Sequence, residues 1–183
     1  VHLAVLADLI PRVTVRGFDS EEVARIKGNS LMKDVLQRAV RDRERPIRKE
    51  LVVGYGLQNL RLRVEESALI INQARRRYTN HNSARDYVRD SVFEALAASA
   101  RSGEINPTKL KNDLKDTLEI RETLDWMWPS LTAEHFLHDL YGSKALLRRA
   151  GTQSFTEEEI LLLHRERTEH ASKVLWTEHD APV

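Results

Sequence analysis

Arginine dominates the residues of this chain that could do chemistry. Arg41, Arg43 and Arg45 close one segment, and Arg75-Arg76-Arg77 forms an unbroken triplet, followed by His81, Arg85 and Arg89. The planar guanidinium suits bidentate contacts to phosphate or carboxylate. These six arginines are therefore the candidate contacts to an anion, either a nucleic-acid backbone or an acidic protein surface. Two bland factors weigh against that reading for the triplet. Cations at a helix C-terminus are stabilised by the macrodipole without any ligand. The nearest aromatics are Tyr78 and Tyr87 alone, too few to stack successive bases.

A second constellation is Glu134-His135-x-x-His138-Asp139, with two imidazoles one helical turn apart. A metal site needs a third ligand, and nothing in the sequence nominates one. A half-buried His138 and a solvated His135 are the favoured reading. The catalytic and nucleotide-binding signatures are missing. There is no Gly-x-x-x-x-Gly-Lys-Ser/Thr, no Gly-x-Gly-x-x-Gly, no Gly-x-Ser-x-Gly and no His-Glu-x-x-His. With no cysteine there is no thiolate nucleophile and no disulfide framework. No catalytic, cofactor or metal residue is assigned.

These residues must be held by helices. Asp19-Ser20-Glu21-Glu22 reads as a helix start with Asp19 as N-cap, and Val23 and Ile26 face inward. Leu31, Met32, Val35, Leu36, Ala39 and Val40 follow at helical spacing, ending by Pro46. Leu51-Val52-Val53 and Leu60 to Val64 flank Gly54-Tyr55-Gly56, which predicts a β-hairpin. Helices are expected over 65–78, from Asn80-His81-Asn82-Ser83 to about Arg101, and over 108–124, the last stopped by Pro129. Thr132 and Thr156 cap two more, the latter with a capping box to Glu159. The opening, with Val13-Thr14-Val15, reads as a short strand or turn. The expected class is mainly α with one small hairpin, arranged as two lobes, 1–103 and 104–183, that meet at Ser102-Gly103-Glu104-Ile105-Asn106-Pro107 and are either separate or share one core. Trp126 and Trp128 read as core, and Trp176 as the more exposed tryptophan.

The 183 residues carry a net charge of +1, which excludes a polyelectrolyte binder over the whole surface. The balance is uneven, with nine basic residues between Arg25 and Lys49 and seven acidic ones from Thr152 onward. The start lacks a basic n-region and initiator Met, and no apolar run is long enough to span a bilayer. A cytoplasmic fragment of a longer protein, with no membrane partner, is the expectation.

Several strings then occur together in order. Val23-Ala24-Arg25-Ile26-Lys27-Gly28 is followed by Met32, Val35-Leu36 and Ala39-Val40-Arg41-Asp42-Arg43. Next come Ala74-Arg75, His81-Asn82-x-x-Arg85, and the long Trp128-Pro129-x-Leu131-Thr132-x-Glu134-x-Phe136-Leu137-His138-Asp139-Leu140-Tyr141-Gly142-Ser143. Glu157-Glu158-Glu159, Leu163-His164-Arg165 and Trp176-Thr177-x-x-Asp180-x-Pro182 complete the series. Together they resemble HelD-type, superfamily 1 (UvrD/Rep-like) helicase-like ATPases that act on bacterial RNA polymerase. The resemblance implies an insertion in the first RecA-like domain, between the Walker A and Walker B elements. It implies a domain that wedges open the clamp of core RNA polymerase while ATP and Mg are handled elsewhere in the parent. The alternative is an accessory DNA-binding insertion of a true superfamily 1 helicase. A metal-dependent hydrolase built on His135 and His138 is a third reading.

Overall fold

In the computed structural model, residues 15–101 and 103–180 are described. The opening strand or turn expected before Val15, the linker residue Ser102 and the matched Pro182 lie outside the described residues. Among the described residues the architecture is mainly helical, with nine α-helices and two small two-stranded sheets. The chain divides into two compact units, one built from 1–39 with 132–183 and the other from 40–131.

In the unit formed by 40–131, the hairpin pairs β2 (Leu51–Tyr55) with β3 (Gln58–Leu62) in antiparallel register, Val53 opposite Leu60. The loop is Gly56-Leu57, not the expected Gly54-Tyr55-Gly56. Strand β2 runs on through Tyr55, and Gly56 takes φ 61° at the first loop position, where glycine has no Cβ to clash. Helices α3 (Val64–Arg77) and α4 (Arg85–Ala98) are separated by a 3₁₀ turn over Asn82–Ala84. Helix α4 stops short of Arg101. The Ser99 hydroxyl donates to the Leu96 carbonyl and accepts from the Arg61 amide of β3, so the exposed carbonyl end is closed there.

The single helix expected over 108–124 is two, α5 (Pro107–Leu114) and α6 (Leu118–Met127). Asn106 caps α5 by accepting from the Thr108 and Lys109 amides. The break lies at Thr117, whose amide and hydroxyl both donate to the Leu114 carbonyl and close α5 before α6 begins. Val53, Leu60 and Leu62 of the hairpin share one core with Phe93 and Leu96 of α4. Leu110, Ile120, Met127 and Trp128 belong to the same core. Residues on both sides of Gly103 bury each other's apolar faces in this core, and the compact units of the fold divide at other places in the chain.

The other unit joins distant stretches of chain. It contains α1 (Glu21–Lys27), most of α2 (Leu31–Arg41), α7 (Ala133–Tyr141), α8 (Lys144–Gly151) and α9 (Glu157–Leu162). Thr132 and Thr156 cap α7 and α9 as expected, with Thr156 and Glu159 completing a capping box. Helix α1 is capped by Ser20, whose hydroxyl accepts from the Val23 amide, and not by Asp19. Asp19 is taken instead by Lys27. Strand β1 (Val15–Gly17) pairs in parallel with β4 (Trp176–Thr177), Val15 opposite Trp176. Trp176 is consequently buried, 7% exposed, contrary to the sequence expectation. The strand that pairs with it comes from the far end of the chain, which no local pattern reveals.

Candidate functional site

The arginines lie in the unit formed by 40–131, and most are engaged within it. Arg75, in the last turn of α3, reaches the end of α2. Its Nε donates to the Glu44 carboxylate at 2.7 Å, and its Nη2 donates to the Arg41 and Glu44 carbonyls at 2.9 and 2.8 Å. A side chain that closes the carbonyl end of a neighbouring helix is a structural part. Glu44 is 8% exposed, and its other oxygen lies 3.0 Å from His81 Nδ1. Burial by itself would push the Glu44 carboxyl up, but hydrogen bonds and charge from His81 and Arg75 hold it below the ordinary carboxylate value.

Two of the strings that carry the resemblance meet here. His81 Nε2 faces the Pro129 carbonyl at 2.7 Å, and Trp128 Nε1 donates to the His81 carbonyl at 2.7 Å. The His81 and Trp128 rings stack with centroids 4.9 Å apart. Asn82 donates to the Leu131 carbonyl and accepts from the Leu131 amide. Arg85 donates to the Trp128 carbonyl and to Asp125. The segments 81–85 and 128–131 are thus mutually cross-braced around a buried tryptophan, which is a packing role.

The remaining candidates sort by environment. Arg77 lies over the Tyr87 ring, 5.3 Å from its centroid. The guanidinium carbons of Arg45 and Arg48 each lie 4.0 Å from the centroid of Trp126, whose Nε1 donates to the Pro46 carbonyl. Arg43 is half-buried, and Arg41 and Arg76 are exposed. The structure therefore brings Arg41 and Arg75 together at one helix end, while the triplet is spread over several directions. Sequence reasoning missed the groove beside Trp126, about 520 Å³, walled by Arg48, Leu51, Val52, Glu119 and Thr123. The Arg45-x-x-Arg48 spacing around a proline was the available signal.

His138 is half-buried, with Nε2 3.0 Å from the Thr168 carbonyl, and His135 is exposed, with Nδ1 2.9 Å from the Thr132 hydroxyl. Among the described residues no group of three or more His, Asp or Glu side chains is arranged to hold a metal ion.

A second cluster, unforeseen from sequence, occupies the other unit. The Lys27 ammonium has no exposed surface and lies 2.8 Å from both Asp19 and Asp180, with the Thr177 hydroxyl at 3.1 Å. Arg165 Nη2 donates to both Asp180 oxygens at 2.9 Å. Burial pushes the Asp180 carboxyl up, but Lys27, the Thr177 amide and Arg165 together bring it below its ordinary value. Two cations and two carboxylates balance, which is what a buried ionic cluster requires.

No protein-family model matches the chain, and no curated protein matches it closely enough to count as a relative. Among the described residues no helix is long and apolar enough to cross a membrane.

Proposed function

We propose that this chain is a non-catalytic interaction module: the clamp-opening insertion of a HelD-like, cytoplasmic ATPase that releases or recycles bacterial RNA polymerase. The observation that carries the reading is the ordered series of matching strings from Val23 to Asp180. Their packing supports it, since His81-Asn82-x-x-Arg85 and Trp128-Pro129-x-Leu131 brace each other across more than forty residues of sequence.

The test is capture of core RNA polymerase by the full-length parent with and without residues 15–180. Retained capture by the deleted form, or none by either, overturns the reading. The accessory DNA-binding reading predicts instead that the chain binds duplex DNA with a steep salt dependence, lost in Arg41→Ala/Arg76→Ala. Arg75 is left intact in that test, because its replacement would disturb the fold and confuse the result.

A further inference from the structure

The two edges of the β2–β3 hairpin are closed unequally. Tyr55 and Gln58 flank the loop as a hydrogen-bonded pair, and bonded pairs alternate with unbonded ones along the ladder. Leu51 and Val53 therefore bond inward, while the amides and carbonyls of Val52 and Gly54 point away from β3. By the same alternation the Arg61 amide of β3 points outward, where the Ser99 hydroxyl at the end of α4 accepts from it at 2.8 Å. Nothing similar closes β2. Its outward backbone groups have no partner among the described residues, and no third strand there adds to this sheet. Natural sheets blunt an open edge with lysine, proline, a bulge or a covering segment. Strand β2 reads Leu51-Val52-Val53-Gly54-Tyr55, pairs without a bulge, and leaves Val52 41% exposed.

The groove of about 520 Å³ lies along this edge, between residues 47–52 and helix α6. Part of its charge is matched internally. Glu50 pairs with Arg61 at 2.7 Å, and Arg48 lies over Trp126. Glu119 and Glu122, three residues apart on α6, are exposed and enter no ion pair among the described residues. Lys49 on the strand wall is the remaining charge, so the groove keeps a negative surplus on its helix wall. An extended chain lying beside β2 turns successive side chains to opposite faces. Those on the face of Leu51 and Val53 meet α6, where a long cation can lay its stem on Leu51 and its head against Glu119 or Glu122. Those on the other face lie beside Val52 and suit a β-branched residue.

We propose that the free edge of β2 docks an extended peptide strand of a partner protein, in which lysine or arginine alternates with β-branched residues. The peptide adds to the hairpin as a further strand and exchanges main-chain hydrogen bonds with Val52 and Gly54. Its basic side chains face Glu119 and Glu122. The site is independent of the polymerase reading, since it uses none of the matching strings.

The probe is a fluorescein-labelled peptide, Thr-Lys-Val-Lys-Val-Lys-Thr with blocked ends, titrated with the full chain and followed by anisotropy. Saturable binding is expected, about tenfold or more stronger than for the same peptide with glutamate in place of lysine. Methylation of alternate backbone amides is the decisive control, because an added strand turns only every second amide to its neighbour. Methylation in one phase should weaken binding about tenfold or more, and in the other phase leave it unchanged. Glu119→Lys/Glu122→Lys, at exposed positions, should reverse the preference between the basic and acidic peptides without changing the melting temperature. Val52→Pro removes an amide that the ladder does not use, at an edge position where proline is tolerated, and should abolish binding. No saturable binding at millimolar probe, equal affinity for the two charge types, equal affinity of the two methylated phases, or an unchanged preference in Glu119→Lys/Glu122→Lys overturns the proposal. So does sedimentation of the chain alone as a dimer that Val52→Pro dissociates, which would assign the edge to a second copy. The methylated peptides and the charge variant read the intact hairpin, so the test stands whatever proline does to folding.

Discussion

Lys27 and Arg165 both lie against Asp19 and Asp180, and replacing Lys27 by methionine removes the fully buried member of that pair while keeping most of the side-chain volume. What remains is two carboxylates, 5% and 3% exposed, facing one arginine whose side chain is 25% exposed, with His179 Nδ1 3.4 Å from Asp19. Breaking a buried ion pair by removing one partner costs about 3–5 kcal/mol, because the other charge stays buried and uncompensated. The alternative for the molecule is to protonate one aspartate. From an ordinary value of 3.8, neutralisation at pH 7 costs about 1.36 kcal/mol per pH unit, or roughly 4.4 kcal/mol, which agrees. The pH dependence follows with opposite signs in the two proteins. In the wild type the Asp180 carboxyl is depressed, so its contribution is present above 3.8 and fades as pH falls through the lower folded value. In Lys27→Met the unpaired carboxyl is raised, so the variant gains stability as pH falls from neutrality, and the gap to wild type narrows.

Native-state hydrogen exchange reads this locally, because the Thr177 amide donates to Asp180 Oδ2 and the β1–β4 pairing lies beside it. Exchange there should accelerate roughly a hundredfold to several thousandfold at pH 7, with the amides of β2 and β3 as an internal control. A gap below about 1 kcal/mol, or one that stays constant down to acid pH, would refute the reasoning.

Arg75→Ala should cost about 1–3 kcal/mol by leaving Glu44 and two helix-end carbonyls short of a donor, whereas Arg76→Ala should stay within about 0.5 kcal/mol, both by denaturant melts. Gly142→Ala should destabilise by about 1–3 kcal/mol, since the added Cβ would meet the His138 carbonyl oxygen at 2.7 Å, a backbone atom that cannot rotate away. Thr156→Ala removes the cap of the short helix α9 and should cost about 1 kcal/mol, with fraying visible in exchange at Glu159. Stability of the wild type should drop on acidification below the ordinary glutamate value of 4.5, as Glu44 is protonated and releases Arg75 and His81, and Glu44→Gln should flatten that part of the pH profile.

What the sequence determined by itself was local. Apolar spacing at helical period identified most of the helices, and a threonine N-cap marked the starts at Thr132 and Thr156, the latter with Glu159 completing a capping box. Alternation at Leu60 and Leu62 disclosed the hairpin. Each of these signals needs only a few adjacent residues, because helix and strand periodicities repeat within a turn or two. The tertiary structure decided everything that depends on partners distant in the chain. It gave Asp19 to Lys27 and Thr177 in place of the helix cap, and it paired the strand of Trp176 with one from the other end of the chain. It turned Arg75 from a candidate ligand contact into the brace of a neighbouring helix. It also put Val53 and Trp128 in one core across the expected linker. Arginine carries the same charge whether it meets solvent, a phosphate or a carbonyl of its own chain. Only the fold determines which of these it finds.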